Sequence, residues 1–198
     1  MKVVKRPYRQ GARAEGAQAT RARILDVATA LFWDNDFDAI TLERIAAEAG
    51  VTPQTVLRRF GSKDGVFAVA LEERADAVMD RRKPAAADPA AAVKAVVASY
   101  EEIGDANWRM LRFERQQPML GAVLAKARAL HRAWIEQSFA LVLPERGAAR
   151  ERMIDALFTA LDFYVWKLHR QDLGRARRET EGLMLGLVNA IINNRGAP

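Results

Sequence analysis

The stretch Thr41 to Phe60, TLERIAAEAGVTPQTVLRRF, limits what the chain can fold into more than any other. Thr41 is placed to cap a short helix whose inner face is Leu42, Ile45, Ala46 and Ala49, and Gly50 then supplies a residue able to turn the chain at positive φ. Thr52 caps a second helix at once, Pro53 takes its first position, where a missing N–H is harmless, and Val56 and Phe60 form an inward i, i+4 pair. Two short helices joined by a tight turn, with alanines where they approach closely, make a helix-turn-helix layout. The second helix offers Thr52, Gln54, Thr55, Arg58 and Arg59 around an apolar inside, which suits a major groove about 12 Å wide.

The surrounding sequence predicts more helices. Ile24, Val27, Ala28, Leu31 and Phe32 recur on one helical face from about Thr20 and stop at Asp34-Asn35-Asp36. Gly61 ends the helix that begins at Pro53, Ser62 caps a fourth running to about Arg82, and Pro84 to Pro89 reads as a break. Beyond it, apolar-periodic segments at about 89–103, 106–116, 118–142, 147–172 and 175–194 predict a bundle of five helices. The expected fold is therefore all-α: a three-helix helix-turn-helix domain joined by a linker helix to a helical bundle. The expected boundaries are a basic flexible arm at 1–19, the helix-turn-helix domain at 20–65 and the helical ligand-binding and dimerisation domain at 66–198.

Charge and composition narrow the function. The net charge of +6 leans toward the N-terminus, where Lys2, Lys5, Arg6, Arg9, Arg13, Arg21 and Arg23 face only Glu15, a cluster suited to phosphates. With no cysteine and only His131 and His169 as histidines, thiol chemistry is excluded, no metal or cofactor is expected, and no catalytic constellation emerges. The longest uncharged apolar run, Gly182 to Ile192, is shorter than the roughly 18 residues a membrane span needs, so a cytoplasmic protein without a membrane partner is expected.

Residues 20–71, including the run IAAEAGVTPQTVLRRFGSKDGVF, resemble the N-terminal domain of the TetR (tetracycline-repressor-like) family. LDFYVWKLHRQDLG, ahead of the apolar last helix, also resembles the C-terminal domain of some members. The resemblance implies a regulator that binds double-stranded operator DNA, with Thr52, Pro53, Gln54 and Thr55 meeting the groove and Gln54 the best candidate for reading a base. It implies that Arg58 and Arg59 reach phosphate or guanine, and that Lys63 and Thr41 favour phosphates at helix N-termini. The family commonly has an aromatic residue, usually Tyr, where this chain has Leu57. Leu57 either presses a thymine methyl or turns inward as core.

The last helix sets Gly182, Gly186 and Ala190 at i, i+4, i+8, which permits close helix approach. The segment 147–172 is apolar on more than one side. These two helices are expected to pair with their copies in a homodimer, as the resemblance also implies. For a small apolar or aromatic effector the candidates are Tyr100, Trp108, Phe113, His131, Trp134 and Tyr164, with Glu114 and Asp162 as weaker polar ones. His131 lies on the stripe from Leu120 to Phe139, so it is either a satisfied core histidine or a polar handle in a pocket. The function these features imply is a ligand-responsive repressor that binds a pseudo-palindromic operator as a dimer, repression being the mode the resemblance implies. A helical protein-interaction adaptor, or an activator on the same fold, is the alternative.

Overall fold

The computed structural model describes residues 8–83 and 88–194. Every regular element among them is helical: α1 (Tyr8–Asp34), a 3-10 turn (Phe37–Ala39), α2 (Leu42–Glu48), α3 (Pro53–Phe60), α4 (Lys63–Arg81), α5 (Pro89–Phe113), α6 (Pro118–Ser138), α7 (Ala148–Ala160), α8 (Phe163–Lys167), a π-helical turn (Leu168–Asp172) and α9 (Arg177–Asn193). The chain divides into two compact units, Met1–Arg74 and Ala75–Pro198, with α4 running from the first into the second.

In the N-terminal unit, the α1 periodicity buries Ile24, Ala28, Leu31 and Phe32 as the spacing predicts. The Phe67 ring, early in α4, stands 5.8 Å from that of Phe32 and 5.0 Å from that of Phe37. Val66, Phe67, Ala70 and Leu71 are all buried, which carries this unit past the expected boundary at 65/66. The first helix starts at Tyr8 rather than near Thr20, so residues 8–19 are helical where a flexible arm over 1–19 was expected. This corrects the expectation, and the reason is local: Ala, Arg, Gln and Glu are good helix formers, and a largely exposed helix needs no apolar stripe to announce it. Lys2, Lys5 and Arg6 of the basic cluster lie outside the described residues.

The core of the C-terminal unit is built from Val93, Val96, Val97 and Tyr100 on α5, Trp134 and Ile135 on α6, Ile154 and Leu157 on α7, Phe163 and Trp166 on α8, and Met184 and Val188 on α9. Its helices differ from the expected five in two places. The segments 89–103 and 106–116 are one helix, α5, because Gly104 is there for packing and not for a break. A Cβ at Gly104 would lie 2.3 Å from Cη2 of Trp166, so the glycine admits the indole against the helix. The expected helix 147–172 instead breaks after Ala160, where Asp162 turns extended and its Oδ1 accepts the Tyr164 N–H at 2.8 Å, starting α8. On α9, Thr180, Met184 and Val188 face inward, while Leu183 and Leu187 remain 45% and 46% exposed.

Candidate functional site

The helix-turn-helix forms as its caps dictate. Thr41 Oγ1 accepts the Arg44 N–H at 3.1 Å and starts α2. The end of α2 closes with a paired motif: the Val51 N–H donates to the Ala46 carbonyl at 2.9 Å and the Gly50 N–H to the Ala47 carbonyl at 3.1 Å, with Gly50 at φ 64°. That closure needs a left-handed residue, which is why glycine stands there. Thr52 Oγ1 then accepts the Thr55 N–H at 3.3 Å and starts α3. From α1, Arg23 Nε donates to the Ala49 carbonyl at 2.7 Å, tying the turn to the first helix.

Only Val56 of α3 is fully buried, and Thr52, Pro53, Gln54, Leu57, Arg58 and Arg59 are exposed, with Thr55 half-buried beside its cap. The expected readers thus lie together on one helix. Leu57 is 41% exposed, which overturns its reading as core: it turns outward. Lys63 departs from the simple picture, because its Nζ donates to the Phe37 carbonyl at 2.8 Å and stands 4.2 Å from the Phe37 ring centre. Its ammonium is engaged inside the unit. Arg21 pairs with Glu73, so with Arg23 two members of the basic cluster hold the fold together.

In the C-terminal unit the expected effector residues separate into groups. Tyr100, His131 and Trp134 come together around Arg82, which directly follows α4 and is 4% exposed. The Arg82 guanidinium lies 5.3 Å from the Tyr100 ring and 5.5 Å from the Trp134 ring, and Nη1 is 3.0 Å from His131 Nδ1. The His131 ring stacks on Trp134 at 5.8 Å and meets Phe158 edge-on at 5.0 Å. Burial lowers the Arg82 pKa and raises Tyr100 to about 12. His131 is pushed down to about 3, first by burial and then by the Arg82 charge, so its ring is neutral.

Trp108 and Tyr164 form a separate edge-on pair at 6.4 Å, with Lys167 over the indole at 4.3 Å and Tyr164 largely exposed. Phe113 is half-buried beside Arg112, whose guanidinium lies 5.7 Å from its ring. Glu114 is held by Arg128 through two hydrogen bonds of 2.6 and 2.8 Å, which lower its pKa, and Asp162 serves as the α8 cap. Sequence reasoning missed Arg82, placing it only as a helix end. The available signal was its position four residues after Val78, on the row that Val78 buries.

Comparison with known proteins agrees with this geometry. Residues 24–70 match the family model described as bacterial regulatory proteins, tetR family. Among solved structures, the chain is similar to a TetR-family transcriptional regulator from Mesorhizobium loti, with 19% identity, 89% of this chain and 96% of that one covered, and a TM-score of 0.67. It is similar to a transcriptional regulator from Pseudomonas aeruginosa, with 19% identity, 88% and 90% coverage and a TM-score of 0.68. A tetR-family regulator from Streptomyces coelicolor gives 18% identity, 90% and 88% coverage and a TM-score of 0.67. No curated protein matches the sequence. The segment 24–70 is thus the helix-turn-helix domain of the tetR family of bacterial regulatory proteins, carried on the fold that the solved tetR-family regulators share.

Proposed function

We propose that this DNA-binding regulator is a homodimeric repressor that reads a pseudo-palindromic operator through α3 and is released by a small effector bound in its C-terminal unit. The observation that carries the reading is the capped α3 with Thr52, Gln54, Leu57, Arg58 and Arg59 exposed side by side. Gln54 and Leu57 read base edges, the first by hydrogen bonds and the second through a thymine methyl. Arg58 and Arg59, with Thr41 and the N-terminal end of α1, supply phosphate contacts. Lys63 anchors phosphate only by leaving Phe37, so it carries less of the affinity than its place in the sequence suggests.

One α3 reaches few bases, so specificity calls for two half-sites about 34 Å apart or a multiple of that. The exposed Leu183 and Leu187 on α9, beside Gly182 and Gly186, where among the described residues nothing packs over either glycine, support a dimer through this face. Tyr164 and Leu168 add exposed apolar surface next to it in sequence. The effector acts through different affinities for the DNA-competent and released states. Selection of bound duplexes from a random pool by the purified full-length chain tests the reading. An enriched inverted repeat supports it; a pool that stays unbiased through repeated rounds overturns it.

A further inference from the structure

We propose that the Arg82–His131 cluster is an anion-recognition site that takes the carboxylate of a small organic acid, whose apolar body lies against the rings of Trp134 and Phe158. This rests on the reading of the C-terminal unit as an effector domain and gives the effector a chemical class.

Arg82 is a buried cation whose polar partners, Ser99 Oγ at 3.2 Å, His131 Nδ1 at 3.0 Å and the Tyr100 hydroxyl, are all neutral. No carboxylate among the described residues pairs with it, and residues 1–7, 84–87 and 195–198, outside the description, include no Asp or Glu. Asp162, whose charge reaches Tyr100, is held at the start of α8 by the Tyr164 N–H. The two aromatic faces soften the burial of the guanidinium but do not neutralise it.

His131 sharpens the requirement. A guanidinium is a donor only, so Nδ1 must be the accepting nitrogen and the ring hydrogen sits on Nε2. Nε2 is buried and makes no well-formed hydrogen bond among the described residues; the Leu161 carbonyl, which bears on the ring, already accepts the Tyr100 O–H. Ser99 spends its own hydrogen on the Ala95 carbonyl, and Tyr100 spends its on the Leu161 carbonyl at 3.0 Å. The cluster therefore holds a positive charge with no opposite charge paired to it, and a buried N–H whose acceptor, the Leu161 carbonyl, is shared with Tyr100. A carboxylate is an acceptor-only group with two oxygens and the missing charge, whereas a neutral apolar ligand satisfies neither demand.

Isothermal titration of the full-length protein with 4-phenylbutyrate and decanoate, each against its primary amide, tests the site. The expected result is that at least one acid binds, about tenfold or more tighter than its amide. Arg82→Met should remove that preference while melting no lower than the parent, since a buried unpaired cation gives way to an apolar side chain of similar length. Should Arg82→Met fail to fold, Arg82→Gln is read the same way, and the acid-to-amide comparison on the unmodified protein still decides. Absence of binding by both acids at millimolar concentration, equal affinity for acid and amide, or a preference that survives loss of the Arg82 charge overturns the proposal. Repeating the titration with operator DNA bound separates the two readings: an acid that occupies the cluster without releasing DNA upholds the site and contradicts effector-driven release.

Discussion

Leu57 and its neighbours on α3 show how one substitution redistributes work among side chains. A leucine in the place where the family usually has a hydroxyl-bearing aromatic cannot hydrogen bond to a phosphate, and in the proposed reading the neighbouring guanidiniums supply that contact while Leu57 faces outward. Arg59→Ala is expected to weaken binding by a similar factor on every sequence and to flatten the salt dependence by about one phosphate contact. Gln54→Ala is expected instead to relax base preference at one position of each half-site, with a penalty of about 1–3 kcal/mol on the preferred base only. Anisotropy titrations on a small set of operator variants separate the two patterns. His131 carries a different prediction. Its pKa falls from 6.5 to about 3 on folding, through burial and the Arg82 charge, with the Leu161 carbonyl opposing. Of the groups facing it, Arg82 stays charged and Tyr100 neutral at these pH values. Between those two values the unfolded chain binds a proton that the folded chain refuses, so stability is full above about pH 6.5 and declines as pH falls, by up to about 1.4 kcal/mol per unit. Denaturant unfolding of the parent and His131→Gln across pH 4 to 7 should show the decline lessened in the variant.

At the level of elements, caps and turns were the most legible features, because each has a local cause. Thr41, Gly50, Thr52 and Gly61 could be assigned from residue type alone, and the structure places each where its backbone geometry requires it. What the sequence hid were features set by tertiary contact or by its absence. Gly104 reads as a helix breaker until the Trp166 indole is seen lying on it, and Asp162 reads as a residue within a long helix until its carboxylate is seen capping a new one. The early start of α1 was hidden for the opposite reason, since an exposed helix imposes no apolar rhythm. Gly104→Ala gains helix propensity but drives a methyl group into a packed indole, so the net effect should be a destabilisation of about 1–3 kcal/mol, read as a lower melting temperature. A melting temperature at or above the parent's would mean that the glycine is not there for the indole.

For the whole molecule, the fold class and the helix-turn-helix were legible in advance, since binary patterning and cap chemistry are written along the chain. The grouping of Tyr100, His131 and Trp134 around a buried arginine was not, because residues far apart in sequence and brought together from the end of α4, α5 and α6 leave no shared local pattern. The apolar face of α9 links the molecule to its proposed assembly. Replacing Leu183 and Leu187 together by Glu should leave the helical content unchanged, shift the mass by light scattering from dimer to monomer, and weaken operator binding far more than half-site binding. The central claim, that α3 gives sequence-specific recognition, is tested most directly by fluorescence anisotropy of the full-length protein on the selected inverted repeat and on a scrambled duplex of the same composition. The account predicts binding to the repeat at least about 10³-fold tighter than to the scramble, with affinity for both falling steeply between about 50 and 200 mM salt. Equal affinity for the two duplexes would contradict it.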